Sequence, residues 1–421
     1  MHRCLFAALV AMCGAFPALA ENWPAWRGGD GSGHSSEKNL PVKWSTTENV
    51  RWKVELPERG NSTPVVWGNR VFITQATDKS TKRAVMCFAR ADGKLLWKQE
   101  TEYTEKEPTH QTNPYCSASP ITDGERVIAS LGSAGMVCYD MDGKELWRQE
   151  LGKVHHIWGN ASSPILYGDL CILWVGPGSV QQLLAVNKKT GKAVWEFNEP
   201  GGKSSEAPPE RPYVGSWSTP IIVRVGDHDE LLLGMPEKLK GFDPRTGKEL
   251  WSCAGLHNAS KDRLVYTSPV YADGVVVAMG GFGGASMAVR VGGEGDVTER
   301  HRLWYHPTNN QRIGSPVIVG DYVYIVDEGG NAHCLELKTG KDLWKGERIP
   351  GTTWSSPVAA EGRLYLPTRE GDVVVLATGP KFDVLARNSL GGDTIMASPA
   401  ISDGDIFIRS HMYLWCISAK K

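Results

Sequence analysis

Short apolar runs rich in Val, Ile, Leu and aromatic residues recur along the chain, each cut by a tight polar turn, and no sustained three-to-four-residue apolar period lies between them. That pattern predicts strands rather than helices. A Ser/Thr-Pro step opens each unit, with its proline at Pro64, Pro120, Pro164, Pro220, Pro269, Pro316, Pro357 and Pro399. A two-residue turn follows each: Gly68-Asn69, Asp123-Gly124, Gly168-Asp169, Gly226-Asp227, Asp273-Gly274, Gly320-Asp321, Glu361-Gly362 and Asp403-Gly404. Such turns between apolar runs are hairpin signals.

A second hairpin closes each unit. Thr190-Gly191-Lys192 before Trp195 recurs as Thr246-Gly247-Lys248 before Trp251 and Thr339-Gly340-Lys341 before Trp344, with variants ending at Trp97 and Trp147. Gly supplies the positive-φ turn position, and the Trp on the returning strand is placed to pack against a neighbouring unit. One unit is thus four short antiparallel strands; in the clearest, these fall near Ser162–Tyr167, Leu170–Val175, Gln182–Asn187 and Lys192–Phe197. A four-stranded sheet cannot bury both faces alone, so the repeat predicts an all-β, eight-bladed β-propeller spanning residues 49–421. The strand around Trp52 precedes the first proline, and the unit beginning at Pro399 has room for three strands at most. Trp52's strand is therefore expected to complete the last blade.

Composition narrows the picture. The 421 residues would ordinarily suggest two to four domains; the repeat makes them one ring. A hydrophobic fraction of 41% excludes wholesale disorder, and 46 basic against 47 acidic residues argue against a nucleic-acid partner. Residues 1–20 read as a secretory signal peptide: a basic start, an apolar run and Ala18-Leu19-Ala20 before Glu21. The run is too short to span a bilayer. Residues 21–48 form a lead-in, and the protein is expected to be exported, periplasmic or extracellular, and monomeric. Seven cysteines follow the signal, too few and too scattered for a disulfide scaffold. Cys87, Cys138, Cys334 and Cys416 occupy corresponding third-strand positions and read as small core residues, whereas a Cys116–Cys171 pairing stays open.

The Thr-Gly-Lys-x-x-Trp pattern resembles the tryptophan-docking repeat of pyrroloquinoline quinone (PQQ) type propellers, the superfamily of the quinoprotein alcohol dehydrogenases and of the outer-membrane assembly protein BamB. The resemblance covers about residues 49–418. Trp23-Pro24-Ala25-Trp26-Arg27-Gly28, with Leu40-Pro41 and Trp44, is similar to the lead-in of secreted bacterial members. The dehydrogenase branch implies PQQ with calcium, an aspartate base, Glu and Asn calcium ligands, a stacking Trp and often adjacent cysteines. This chain has no adjacent cysteines and no C-x-x-C-H for haem, and no catalytic or calcium-binding residue is carried over.

Chemistry is expected where the repeat is broken, on the face from which the innermost strands enter. The segments before the prolines supply His110, Asn113 and Tyr115; His155, His156, Trp158 and Asn160; Tyr213 and Trp217; Tyr266; Gln311 and Arg312; and Trp354. The middle loops add Lys238, Phe282 between paired glycines in what reads as a flexible loop, Glu328, Arg369 and Arg409. These are the candidate lining of a funnel for a planar or sugar-like ligand; the alternative is that they plug the axis. A metal on His155, His156 and His110 is disfavoured, since neighbours on a strand point to opposite sides. The expectation is a non-catalytic binding or scaffolding module whose partner is a small neutral ligand or an envelope protein. A PQQ-dependent oxidoreductase acting on an alcohol or aldose and a BamB-like assembly factor are the alternatives.

Overall fold

In the computed structural model the described residues are 21–178, 180–199, 214–257, 263–310 and 312–419, so the signal segment 1–20 lies outside them. Almost all regular structure is β, arranged as eight antiparallel blades around one axis. Blade 3 shows the pattern: Ile165–Tyr167, Leu170–Val175, Gln182–Asn187 and Ala193–Asn198, paired in sequence order from the axis outward. Blade 6 departs from it. Its three strands Val317–Val319, Tyr322–Val326 and Ala332–Glu336 are followed by a return segment held by single bridges, Leu335 to Asp342 and Asn331 to Arg348.

Closure follows the sequence pattern. Ala400–Ser402, Asp405–Arg409 and Tyr413–Ser418 form the inner three strands of blade 8, and Val50–Glu55 pairs antiparallel with Tyr413–Ser418 as its outer strand. The two ends of the ring therefore share a sheet, which leaves no open gap between blades.

Blades dock through their outer tryptophans. The indole N–H of Trp52 donates to Arg90 O, Trp97 to Met141 O, Trp147 to Lys188 O, Trp195 to Pro244 O and Trp304 to Leu337 O, each on the turn of the following blade. The indole lies on that turn's glycine: a Cβ on Gly143, at φ +88°, would stand 2.8 Å from the Trp97 ring. Two tryptophans depart from the expected docking. Trp251 is fully buried and donates to Glu230 Oε2 at 2.7 Å within its own blade. Here blade 5 has replaced the tight turn by an insertion whose Gly295–Asp296 pairs with Trp251's strand and runs into the short helix Thr298–His301. Trp344 packs edge-on against Phe382 of blade 7, whose turn follows Thr378-Gly379 with Pro380-Lys381-Phe382 rather than directly with Lys.

The core is a series of layers between adjacent blades. All seven described cysteines are buried and free, so Cys116 and Cys171 do not pair; they lie in separate layers, between blades 1 and 2 and between blades 2 and 3. Cys87, Cys138, Cys334 and Cys416 are core residues as expected.

The Ser/Thr-Pro step itself builds the axis. The backbone N–H of Thr63 donates to Ser119 Oγ, Ser119 to Ser163, Ser163 to Thr219, Thr219 to Ser268, Ser268 to Ser315, Ser315 to Ser356, Ser356 to Ser398, and Ser398 back to Thr63 Oγ1. The eight distances run from 2.7 Å (Thr219 to Ser268) to 3.2 Å (Ser398 to Thr63). Proline next in sequence has no N–H of its own to compete. The result is a closed circle of one hydrogen bond per blade, all among buried residues.

The lead-in closes the opposite end. Trp23 exchanges backbone bonds with Val66 of blade 1, Pro24 O accepts from Thr122 of blade 2, and His34–Ser35 adds in parallel to the inner strand of blade 7. Arg27 is buried and donates to Pro316 O at 2.7 Å and Ser32 O at 2.9 Å. Burial lowers its pKa to about 9. Glu37 accepts from the blade 8 turn at Asp403 and Gly404. The axis is thus a cup rather than a tunnel.

Candidate functional site

Above the hydroxyl circle lies a cavity of about 540 Å³, within the usual range for small-molecule sites. Of the sequence-chosen residues, His110, Asn113, Trp158, Trp217, Tyr266, Glu328 and Trp354 line it, together with Phe282. The funnel is therefore open, not plugged by these side chains. Trp158, Trp217 and Tyr266 form a continuous aromatic wall, with centroids 6.2 Å and 5.3 Å apart. Trp217 is fixed by its indole N–H on Gly159 O at 2.8 Å, and Asn113 by its amide on Trp158 O at 2.6 Å.

The other candidates stand elsewhere. His156 is fully buried behind the wall, against Trp158 and Trp217, and burial lowers its pKa to about 4. His155 is half-buried and off the lining. Tyr115 covers Arg83, 3.7 Å from ring centroid to guanidinium, and its hydroxyl donates to Glu107 O. Asn160 joins the same buried group, reaching Glu107 at 3.5 Å, while Glu107 lies 3.6 Å from Arg83. Lys238 pairs opposite Ala254, and its charge acts on Asp296 of the outer insertion. Arg369 sits against Trp354, 5.3 Å from the ring centroid. Arg312 is buried with Ser286 Oγ at 3.4 Å, and Arg409 is buried on Thr74 O at 2.7 Å and Gln75 Oε1 at 2.6 Å. Burial lowers the pKa of each of these two to about 10. Tyr213 and Gln311 lie outside the described residues.

Sequence reasoning missed Trp26, Asn61 and six of the eight circle residues, all part of the lining. Trp26 comes from the lead-in, which carries no repeat signal. The hydroxyls were set aside because they repeat, although repetition is what brings them to one axis. Phe282 is also placed differently from expectation. Its glycines are close-packed: a Cβ on Gly280 would fall 2.0 Å from Leu256 O, and one on Gly284 would fall 2.8 Å from the Gly280 backbone. The loop is a tight pedestal, not a slack one.

Among the described residues Glu328 is the lining's one carboxylate, and burial raises its pKa, Arg369 opposing the rise and Asp327 adding to it. Asp327 itself is buried, but hydrogen bonds from Asn331 and Asn310 outweigh that burial and its pKa lies below the ordinary value. Among the described residues no three His, Cys, Asp or Glu side chains come together as a metal site, and no helix is long and apolar enough to cross a membrane.

A family model described as outer membrane protein assembly factor BamB matches residues 32–103 and 81–346. The chain belongs to this BamB-type PQQ-repeat family. The outer membrane protein assembly factor BamB of Salmonella typhimurium (strain LT2) is 24% identical over 275 residues, 63% of this chain and 64% of that protein, so the chain matches somewhat under two thirds of its relative's length. Among solved structures, BamB from Moraxella catarrhalis is similar with a TM-score of 0.60 at 13% identity, covering 87% of this chain and 96% of that one. The quinohemoprotein alcohol dehydrogenase of Comamonas testosteroni is similar with a TM-score of 0.66 at 12% identity, covering 94% and 80%. These two likenesses establish the fold alone.

PQQ, which this fold also accommodates in dehydrogenases by resemblance, is a tricarboxylate used with calcium. The described lining has no Lys or Arg to meet that charge, and one carboxylate, already shifted toward neutrality, to hold the metal. The residues present do not fit the group.

Proposed function

We propose that this chain is an exported, non-catalytic binding propeller whose funnel takes a small uncharged ligand. The observation that supports it most is the lining: Trp26, Trp158, Trp217, Tyr266, Phe282 and Trp354 stand among neutral amides and hydroxyls, with His110 and Glu328 but no Lys or Arg among the described residues. Aromatic surface with a few fixed polar groups is the ordinary make-up of a binding pocket. Export rests on the leader pattern of residues 1–20. A ligand that binds only the folded form raises the melting temperature, so a thermal-shift series with neutral ligands beside PQQ plus calcium tests the reading. Stabilisation by neutral compounds but not PQQ is the expected outcome. A saturable PQQ shift accompanied by dye reduction with alcohols or sugars would replace the reading with a quinoprotein dehydrogenase.

A second reading, protein scaffolding in the manner of an assembly factor, rests on a different observation. The outer strands expose Leu95, Leu96, Leu146, Val194, Leu303, Val384 and Leu385, apolar rim positions suited to partner contact. A photo-crosslinker at residue 96 should then yield one defined adduct in envelope fractions, lost with Leu95→Glu next to it in sequence. A ladder of unrelated adducts would count against scaffolding.

A further inference from the structure

We infer that the ligand of this funnel is an uncharged saccharide, seated with a sugar face on Phe282 and its hydroxyls over the axial circle. The inference rests on the neutral-ligand reading above and makes it specific.

Phe282 is 59% exposed at the cavity's edge, on a backbone that is held firmly. Gly280 N–H donates to Ala285 O at 2.7 Å, Gly281 N–H to Leu264 O at 2.6 Å and Gly284 N–H to Gly281 O at 2.9 Å, and a Cβ on Gly281 would meet the Tyr266 ring at 2.9 Å. The pedestal fixes the backbone that carries the ring and leaves the ring uncovered. An exposed aromatic with only two side-chain torsions on a fixed backbone loses little conformational freedom when a flat apolar face settles on it, which makes it an efficient contact.

The floor supplies the complementary polarity. Each hydroxyl of the circle accepts one backbone N–H, and among the described residues none of their protons has a protein acceptor. Those of Thr63, Ser163, Thr219, Ser315, Ser356 and Ser398 border the cavity. They are donors waiting for oxygen. Acceptors stand beside them: Asn61 Oδ1 is buried with no partner, and the Glu328 carboxylate lies in the same lining. A ligand hydroxyl both donates and accepts, so a polyol satisfies both sets at once. An anion would leave the acceptors opposed and meet no lining cation. A lipid chain would bury the floor hydroxyls unpaired, at a cost of about 1–3 kcal/mol each. A sugar ring alone combines an apolar C–H face for Phe282 with a rim of hydroxyls.

The test is calorimetric titration of the mature protein with maltotriose, cellotriose, chitotriose and trigalacturonate, beside indole-3-carboxamide as a neutral non-sugar and PQQ plus calcium. At least one neutral trisaccharide should saturate, trigalacturonate should bind more weakly, and Phe282→Ala should weaken binding by about tenfold at unchanged melting temperature. Asn61→Leu tests the floor independently and should weaken the same sugar. No saturation by any neutral saccharide at about 10 mM, well above the millimolar range of weak sites, overturns the inference. If the indole amide binds in that case, the neutral-ligand reading survives alone; if only PQQ binds, both fall. Saccharide binding that ignores both substitutions also overturns it, since the sugar would then lie elsewhere.

Discussion

Ser163→Ala isolates one link of the axial circle. The substitution deletes the acceptor for the Ser119 N–H, which donates at 2.9 Å, and leaves Ser163's own N–H on Thr219 intact. Ser119 is 1% exposed, so its N–H has no ready access to water. Leaving a buried donor unmet costs about 1–3 kcal/mol. Unfolding entropy of about 2.1 cal/mol/K per residue, taken over 421 residues, comes to roughly 0.9 kcal/mol/K, so the melting temperature should fall by about 1–3 °C. Differential scanning calorimetry on matched samples resolves that difference. Ser163→Thr is the control: Thr63 and Thr219 already serve in the circle, so it should stay within about 0.5 kcal/mol of the parent. If alanine is neutral and threonine destabilises, volume rather than hydrogen bonding governs the position, and the account of the axis fails.

Two further outcomes follow from the same geometry. Gly143→Ala should destabilise by about 2 kcal/mol or more, since its φ of +88° and the Trp97 ring 2.8 Å from the new Cβ both oppose it, whereas Gly68→Ala, at φ +56° with nothing within 4 Å, should cost only about 1 kcal/mol of left-handed backbone strain; urea midpoints of the pair check the contrast. Burial holds His156 at a pKa of about 4, below its ordinary 6.5. The folded protein keeps a neutral ring that the unfolded chain protonates, so this stability is whole above about pH 6.5 and is lost as pH falls toward 4. His156→Gln should flatten part of the melting-temperature slope across that window; His306 and His411, also lowered mainly by burial, account for slope that remains. An unchanged slope would remove His156 from the account.

The blades were legible because their signals are local: a positive-φ turn, a proline, and a Trp a fixed distance beyond its Gly. Trp251 and Trp344 show the limit. Where a tryptophan docks depends on the next blade's turn, some forty residues away, and an insertion or an altered turn sequence there redirects it without altering its own sequence. The site was legible in its aromatic half. The arginines misled, because a basic residue at a strand end carries no sign of direction: Arg409 closes its strand pointing into the blade 8 to blade 1 layer, where Gly60 makes room, a Cβ there falling under 2 Å from the guanidinium. The floor was hidden for the opposite reason, its residues being too regular to look functional.

Those arginines bear directly on what the funnel selects. Arg27, Arg312 and Arg409 lie beneath and behind the lining, buried, with no carboxylate within ion-pair distance among the described residues. Lowered only to about 9 or 10, they remain cationic at neutral pH. Each donates to backbone carbonyls or neutral side chains, the buried Nε–H of each has no partner among the described residues, and none of the three lines the cavity. An anion in the funnel would feel their field but find no direct donor from them, so its affinity would rest on unpaired long-range attraction and fall with salt. A neutral ligand has no such term. Affinity for the saccharide measured between about 0.05 and 0.5 M salt, where the screening length shrinks from roughly 14 to 4 Å, should therefore change by less than twofold. A tenfold loss over that range would mean that the buried cations, not the aromatic wall and hydroxyl floor, select the ligand.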